Sequence, residues 1–420
     1  MRLRTVMAAL VVFAGLAGAA AFGVVGPSDT GGNSVDNGTL TELWVSDPPA
    51  MLESNHHTPA VAAIDGESFV AVPINSRQGE TCLLTVLNGS GEQRWQQSIA
   101  SEACTIHSVS DPTIADFDGD GDHEVIAATS TKDLVAYDLQ TGREEFRHRL
   151  TSYGYSKPLI ADILPADGNE TIVADLLGGV FAFRQNGTLA WREKFADAQV
   201  RQPAVADFDA DNDPEIAIGQ LSGKATVLER NGSVAWQRNL PNATTTKWMT
   251  TGQADSDAAT ELVFASFFGE VTMLDGENSS VEWQRNVSAR GATVKAFGDG
   301  DSDGDPEVYA AARDGTLRSF TASNGSVEWK TTLTTEEGVY VMAPPSMGDL
   351  DGNGDPELVA VTGTGLIAVV DPETGEIVDS YKRDVPINTF PRVADFDNDG
   401  REEIFVIYGD ARVVALSYAA

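Results

Sequence analysis

The segment at 114–128 reads IADFDGDGDHEVIAA: a short apolar run, carboxylates at every second position, then a second apolar run. Asp116, Asp118, Asp120 and Asp122 alternate along a Gly-containing loop, and Glu124 follows them. That spacing lets several oxygens converge on one hard cation while the glutamate closes the shell. An all-oxygen donor set on a flexible loop suits calcium better than zinc or copper. A single acidic turn is equally an ordinary solvated hairpin, so repetition decides. The pattern returns with Asp207, Asp209, Asp211, Asp213 and Glu215, and with Asp299, Asp301, Asp303, Asp305 and Glu307. It returns again with Asp349, Asp351, Asn353, Asp355 and Glu357, and finally with Asp395, Asp397, Asp399, Arg401 and Glu403.

Two further copies sit in register but have decayed. One keeps Asp162 and Glu170 with Leu164 and Ala166 between; the other keeps Asp255, Asp257 and Glu261 but begins with Gln253, which leaves its cation binding open. First positions fall at 116, 162, 207, 253, 299, 349 and 395, a period of 45 to 50 residues that marks a repeat architecture. Each repeat reads as four short strands with turn signals between them and no helix-period segment, which calls for an all-β fold. Strand one tends to open on proline (Pro59, Pro112, Pro158, Pro203, Pro345, Pro391), where no ladder donor is lost. Asn-Gly at Asn186, Asn231 and Asn324 joins strands three and four and predicts two-residue hairpins.

Strand four carries an aromatic in every repeat: Trp95, Phe146, Trp191, Trp236, Trp283, Trp329 and Tyr381. Such a stripe reads as packing between neighbouring sheets. Trp44 precedes the first repeat in the same role, while the chain stops at LSYAA after only three strands of the last. The strand at the front therefore completes the sheet at the back. Counting the degenerate PAVAAIDGESFVAV as the first group gives eight four-stranded sheets closed radially, an eight-bladed β-propeller without a long open edge.

The acidic loops resemble FG-GAP (VCBS-type) repeats, the calcium-loop blades of integrin α chains and many secreted microbial proteins. The segments LVAYDLQTGREEF and LIAVVDPETGEIV are similar to blades of quinoprotein-type (PQQ-like) propellers. The likeness covers roughly residues 41–420 and implies calcium between strands one and two of a blade, about five structural ions for five complete loops.

Net charge is −35, from 63 acidic and 28 basic residues, which argues against nucleic acid or an anionic membrane surface as partner. The acidic, lysine-poor composition resembles proteins of salt-loving archaea. Residues 1–26 carry Arg2 and Arg4 and then a long apolar run, either a cleaved signal peptide or a single membrane anchor. The arginines remain on the cytoplasmic side in both cases, so the rest is exported to the cell surface or beyond. Residues 27–40 read as a flexible spacer and 41–420 as one propeller, with no signal for assembly beyond a monomer. Two cysteines, Cys82 and Cys104, in an exported chain predict a disulfide clipping the outer strands of the first repeat. Nine Asn-x-Ser/Thr sequons, at Asn37, Asn88, Asn169, Asn186, Asn231, Asn242, Asn278, Asn286 and Asn324, are open to glycosylation, although Asn-Gly-Ser is also good turn chemistry.

Chain direction puts all acidic loops and Asn-Gly turns on one face. The opposite face receives the blade connections with His57, His107, Tyr153, Tyr155, Lys157, Arg201, Lys247, Trp248, Arg290 and Tyr340. Of these, Lys157, Arg201, Lys247 and Trp248 are the candidate lining of a ligand funnel suited to an anionic or sugar-like molecule. The five histidines show no spacing of their own, and no catalytic constellation is local in the sequence. The expectation is a non-enzymatic calcium-binding scaffold for a protein or glycan. The alternative is an enzyme similar to PQQ-dependent dehydrogenases or polysaccharide lyases, although the vicinal cysteines common in the former are absent.

Overall fold

The computed structural model describes residues 38–47, 56–76, 81–165, 168–195, 203–241, 246–287, 291–336 and 343–419. The expected signal or anchor, residues 1–26, lies outside them. The described strands form eight four-stranded antiparallel sheets. In chain order blade 1 spans 60–99, blade 2 113–149, blade 3 159–194, blade 4 204–239, blade 5 246–286, blade 6 292–332 and blade 7 346–382. Blade 8 takes three strands from 392–419 and its fourth, Thr39–Val45, from the front of the chain. This eight-bladed propeller is the architecture that the sequence predicts, down to the shared last blade.

The middle strands explain why the repeats read as unbroken apolar runs. Side chains alternate across a strand, and here both faces of a blade are covered. In Glu124–Ala128, Val125 and Ala127 pack toward blade 1 while Ile126 and Ala128 pack toward blade 3. Eight buried apolar clusters result, one at each blade-to-blade interface. The short first strands neighbour one another around the axis.

The aromatic of strand four reaches across each interface. Trp95, Trp191, Trp236, Trp283 and Trp329 donate their indole N–H groups to the carbonyls of Leu139, Arg230, Gly276, Ala322 and Pro372, each in the next blade, at 2.6 to 2.9 Å. Phe146 makes the same contact without a donor, against Gly187. Tyr381 donates to Glu42 at 2.6 Å, and Trp44 lies against Gly91 with its indole nitrogen buried and unpartnered. Several turn glycines are required here: Gly142 has φ +71° and lies so close to Trp95 that a Cβ would collide with the ring.

Three expectations need correction. The Asn-Gly turns are not two-residue hairpins. Gly187 donates to the carbonyl of Arg184, only the glycine has positive φ, and the register slips by one between Ala182 and Phe183. A type I′ turn needs positive φ at both central residues; here Asn186 instead spends its side-chain oxygen on the Thr188 N–H (3.0 Å), leaving glycine to make a bulge. The two-residue turn occurs in blade 1, where Asp65 (φ 53°) and Gly66 (φ 79°) replace the acidic loop. Secondly, the spacer ends earlier than residue 40, because Gly38 donates to the Tyr418 hydroxyl (3.1 Å) and the strand begins at Thr39. Thirdly, the Cys82–Cys104 disulfide joins the start of one strand to the connection beyond the outer strand, past a 3-10 turn at Ser101–Ala103, rather than strand to strand.

Candidate functional site

Two opposed regions carry chemistry. On the first, seven acidic loops run between strands one and two of blades 2 to 8. In every one the closing glutamate folds back, its Oε2 accepting the backbone N–H of the residue that follows the loop's first position. Phe117 donates to Glu124 at 2.7 Å, Phe208 to Glu215 at 2.8 Å, Gly300 to Glu307 at 3.0 Å, Leu350 to Glu357 at 2.9 Å and Phe396 to Glu403 at 3.1 Å. The decayed loops keep this clasp through Glu170 and Glu261.

The clasp leaves the other carboxylate oxygen for the loop. Glu124 Oε1 is buried and has no hydrogen-bond partner, while Asp116, Asp118 and Glu124 offer oxygens within 4.8 Å of one another. Asp207, Asp209 and Glu215 form the equivalent group, as do Asp349, Asp351 and Glu357; in blade 6 the group is Asp299, Asp301 and Asp303. Burial and crowding both disfavour the ionised glutamate. Burial first, then the neighbouring aspartates, pushes Glu124 up to about 8, and Glu215, Glu307, Glu357 and Glu403 up to about 7.

The fourth loop position behaves differently. Asp213 pairs with Arg230 at 2.5 Å, and Asp355 accepts from Ser302 of the neighbouring blade at 2.6 Å. In blade 5 the Gln253 amide, standing where other loops have aspartate, donates to the carbonyls of Asp255 and Asp257. Asp255 and Glu261 nevertheless form a carboxylate group with Glu282, which comes from the outer strand. Backbone bonds stitch loop to loop, from Thr260 to the Asp207 carbonyl (3.1 Å) and from Glu402 to that of Asp349 (2.8 Å).

At the opposite end, three of the five histidines that look scattered in the sequence converge. His57 Nδ1 lies 2.8 Å from Asp111, and its Nε2 lies 3.1 Å from His107 Nδ1. His56 stacks near His107, and Tyr155 edges both His57 and His107. Lys157 stands beside this group, electrostatically coupled to Asp111. Trp248 packs edge-on against Phe390, with ring centroids 5.9 Å apart. Of the other expected funnel residues, Tyr153 is exposed, while Arg201, Arg290, Tyr340 and the Lys247 side chain lie outside the described residues. Sequence reasoning missed His56, Asp111, Lys295, Phe390 and Arg392. A signal existed for Lys295, which stands four residues before a loop's first position, where blades 2, 3, 4, 7 and 8 have proline.

The sequon asparagines Asn88, Asn186, Asn231, Asn278 and Asn324 all accept from the N–H two residues on, at 2.8 to 3.0 Å. They therefore act as turn formers, whatever they carry.

Fold and loops together define an eight-bladed β-propeller of mixed repeat type. Residues 83–257 match the family model described as outer membrane protein assembly factor BamB, and residues 299–360 match the FG-GAP-like repeat. Among curated proteins no relative matches. Similar solved structures include BamB from Moraxella catarrhalis, at 16% identity and TM-score 0.60, covering 90% of this chain and 97% of that one. The V. cholerae biofilm matrix protein Bap1 aligns at 14% identity and TM-score 0.65, covering 90% and 91%. The computationally designed Ika8 protein aligns at 13% and 0.62, covering 90% and 99%. At these identities the likeness shows the fold alone.

Proposed function

We propose that this chain is a calcium-stabilised propeller of the cell envelope or exterior that serves as a rigid binding scaffold for a protein or glycan. The observation that carries it is the buried Glu124 Oε1, unpartnered and within 4.8 Å of Asp116 and Asp118 oxygens while Oε2 is clasped by Phe117. A buried carboxylate oxygen with no donor is costly, and a hard cation is the partner that the all-oxygen donor set fits. Calcium bound there would offset two of the negative charges in each loop and strengthen the loop-to-loop bonds that join blades. The resemblance to an outer membrane assembly factor and a biofilm matrix protein supports an envelope or extracellular setting, as does a disulfide in a chain with a single cysteine pair.

Calcium per chain, measured by elemental analysis after exhaustive dialysis, tests the reading. Near five supports it, and six adds the Asp255 loop. Near zero overturns it.

A second reading, an enzyme of polysaccharide-lyase type, draws on the Asp111–His57–His107 chain beside Tyr155, since β-elimination needs a base and an acid within reach of the substrate. Unsaturated-product absorbance after incubation with acidic polysaccharides, lost in His57→Ala, would favour it over the scaffold.

A further inference from the structure

In a chain with 63 acidic residues, three cations stand on or just before inner strands that line the axis. Lys157 precedes the inner strand of blade 3, Lys295 lies in the inner strand Ala292–Gly298 of blade 6, and Arg392 opens the inner strand Arg392–Ala394 of blade 8. Arg392 disfavours the charge on both lysines, and Lys295 disfavours that on Lys157. Among the described residues none of the three side chains has an ion pair or hydrogen bond, and Arg392 Nε is buried without a partner. Lys295 Nζ has only the Phe390 ring, 5.4 Å to its centroid.

The carboxylates that reach them are committed elsewhere. Asp111 accepts from His57 (2.8 Å) and Thr58 N–H (3.0 Å), and Glu402 accepts from Asp349 N–H (3.1 Å). Asp111 favours the charge on both lysines, but by less than Arg392 disfavours it, and partly buried cations that face one another with no ion-pair partner are unfavourable. Lys295 lines a cavity of about 370 Å³ at the axis, with Ile160, Val205, Met249, Thr250 and Thr251 among its other walls. At roughly 30 Å³ per water it has room for a hydrated anion.

We propose that the axial channel binds one dianionic oxyanion of the phosphate or sulfate class, alone or as the terminal group of a larger ligand, held among Lys157, Lys295 and Arg392. The site names the ligand chemistry for the binding scaffold proposed above. It rests on that reading only for its biological use.

Calorimetric titration of the calcium-dialysed full chain with sulfate, inorganic phosphate and malonate, against chloride at matched ionic strength, tests it. One saturable site for sulfate and phosphate is expected. Each cation removed should weaken binding at least about tenfold, so Lys157→Gln with Lys295→Gln should cost about 100-fold. Arg143→Gln, on the exposed Glu145 pair, should leave it unchanged. Should the double variant fail to fold, Lys295→Met alone, with its tenfold loss, carries the test. No saturable heat for any anion, equal affinity in the lysine variants, or malonate binding tighter than both tetrahedral anions overturns the proposal. Calcium per chain is read in the same samples, so loss of the anion site with calcium retained leaves the scaffold reading standing.

Discussion

Tyr381 donates its hydroxyl to Glu42 across 2.6 Å, joining blade 7 to a strand that lies 339 residues earlier in the chain. It is the hydroxyl-bearing member of a ring of eight aromatic contacts, five of which use an indole N–H and one of which, at Trp44, has no acceptor.

That difference gives an internal comparison. Trp95→Phe removes a buried hydrogen bond and leaves the Leu139 carbonyl unsatisfied, whereas Trp44→Phe removes an indole N–H that has no partner. Both lose similar ring area. Trp95→Phe should therefore be more destabilising by about 1 kcal/mol, measured by denaturant unfolding. Equal losses would mean that the indole bonds add nothing beyond packing.

Glu124→Gln should change sign with calcium. Glutamine still accepts from Phe117 through its carbonyl oxygen but carries no charge. With calcium removed by chelation the variant should melt higher than the parent at neutral pH, because the cost of keeping a crowded, buried carboxyl protonated is gone. With calcium present it should melt lower, because a ligand charge is lost. A variant less stable under both conditions would count against cation binding by the blade 2 loop.

Burial, then the Arg392 charge, depresses Lys157 and Lys295 from 10.5 to about 8. Between those values the unfolded chain holds protons that the folded chain has released, so stability should rise with pH from about 8. Above 10 the buried Tyr408, shifted upward from 10.0, opposes the trend. Asp111 faces both lysines and moderates the effect. Unfolding free energy at pH 9.5 should exceed that at pH 8 in the parent, and the slope should flatten in the Lys157→Gln, Lys295→Gln double variant. An unchanged slope would place the response elsewhere.

Cys82 and Cys104 are 22 residues apart, and closing a loop of that size constrains the unfolded chain by about 3 kcal/mol in the chain-entropy picture. Cys82→Ser with Cys104→Ser should lower stability by about that amount, with blade 1 the first to lose amide-exchange protection. Uniform loss around the ring would instead mean that the propeller unfolds as one unit.

The propeller was legible because its determinants are local and periodic. Asp116, Asp207, Asp299, Asp349 and Asp395 recur in register, and Trp44 against the unfinished LSYAA end specifies closure. Turn geometry was less so: Asn186-Gly187 is compatible with two loop types, and the side-chain bond to Thr188 selects the bulged one. The axial cations were hidden by distance along the chain. Lys157, Lys295 and Arg392 belong to blades 3, 6 and 8, and only radial closure brings inner strands so far apart in sequence to one place. His57 and His107 meet for the same reason, from neighbouring blades.

Closure by Thr39–Val45 also sets an order of events during synthesis. This strand emerges first, yet its partner Val413–Ala419 emerges last. Blades 1 to 7 can each pair internally as they appear, but the final sheet waits for nearly the whole chain, and the loop it closes is the longest in the molecule. Ring closure is thus the step with the greatest sequence separation and the slowest to find its register. Until then two unpaired edges face solvent. A chain interrupted late would hold most of its blades and still present an open rim, so closure of the entire ring depends on the pairing of its first strand with its last.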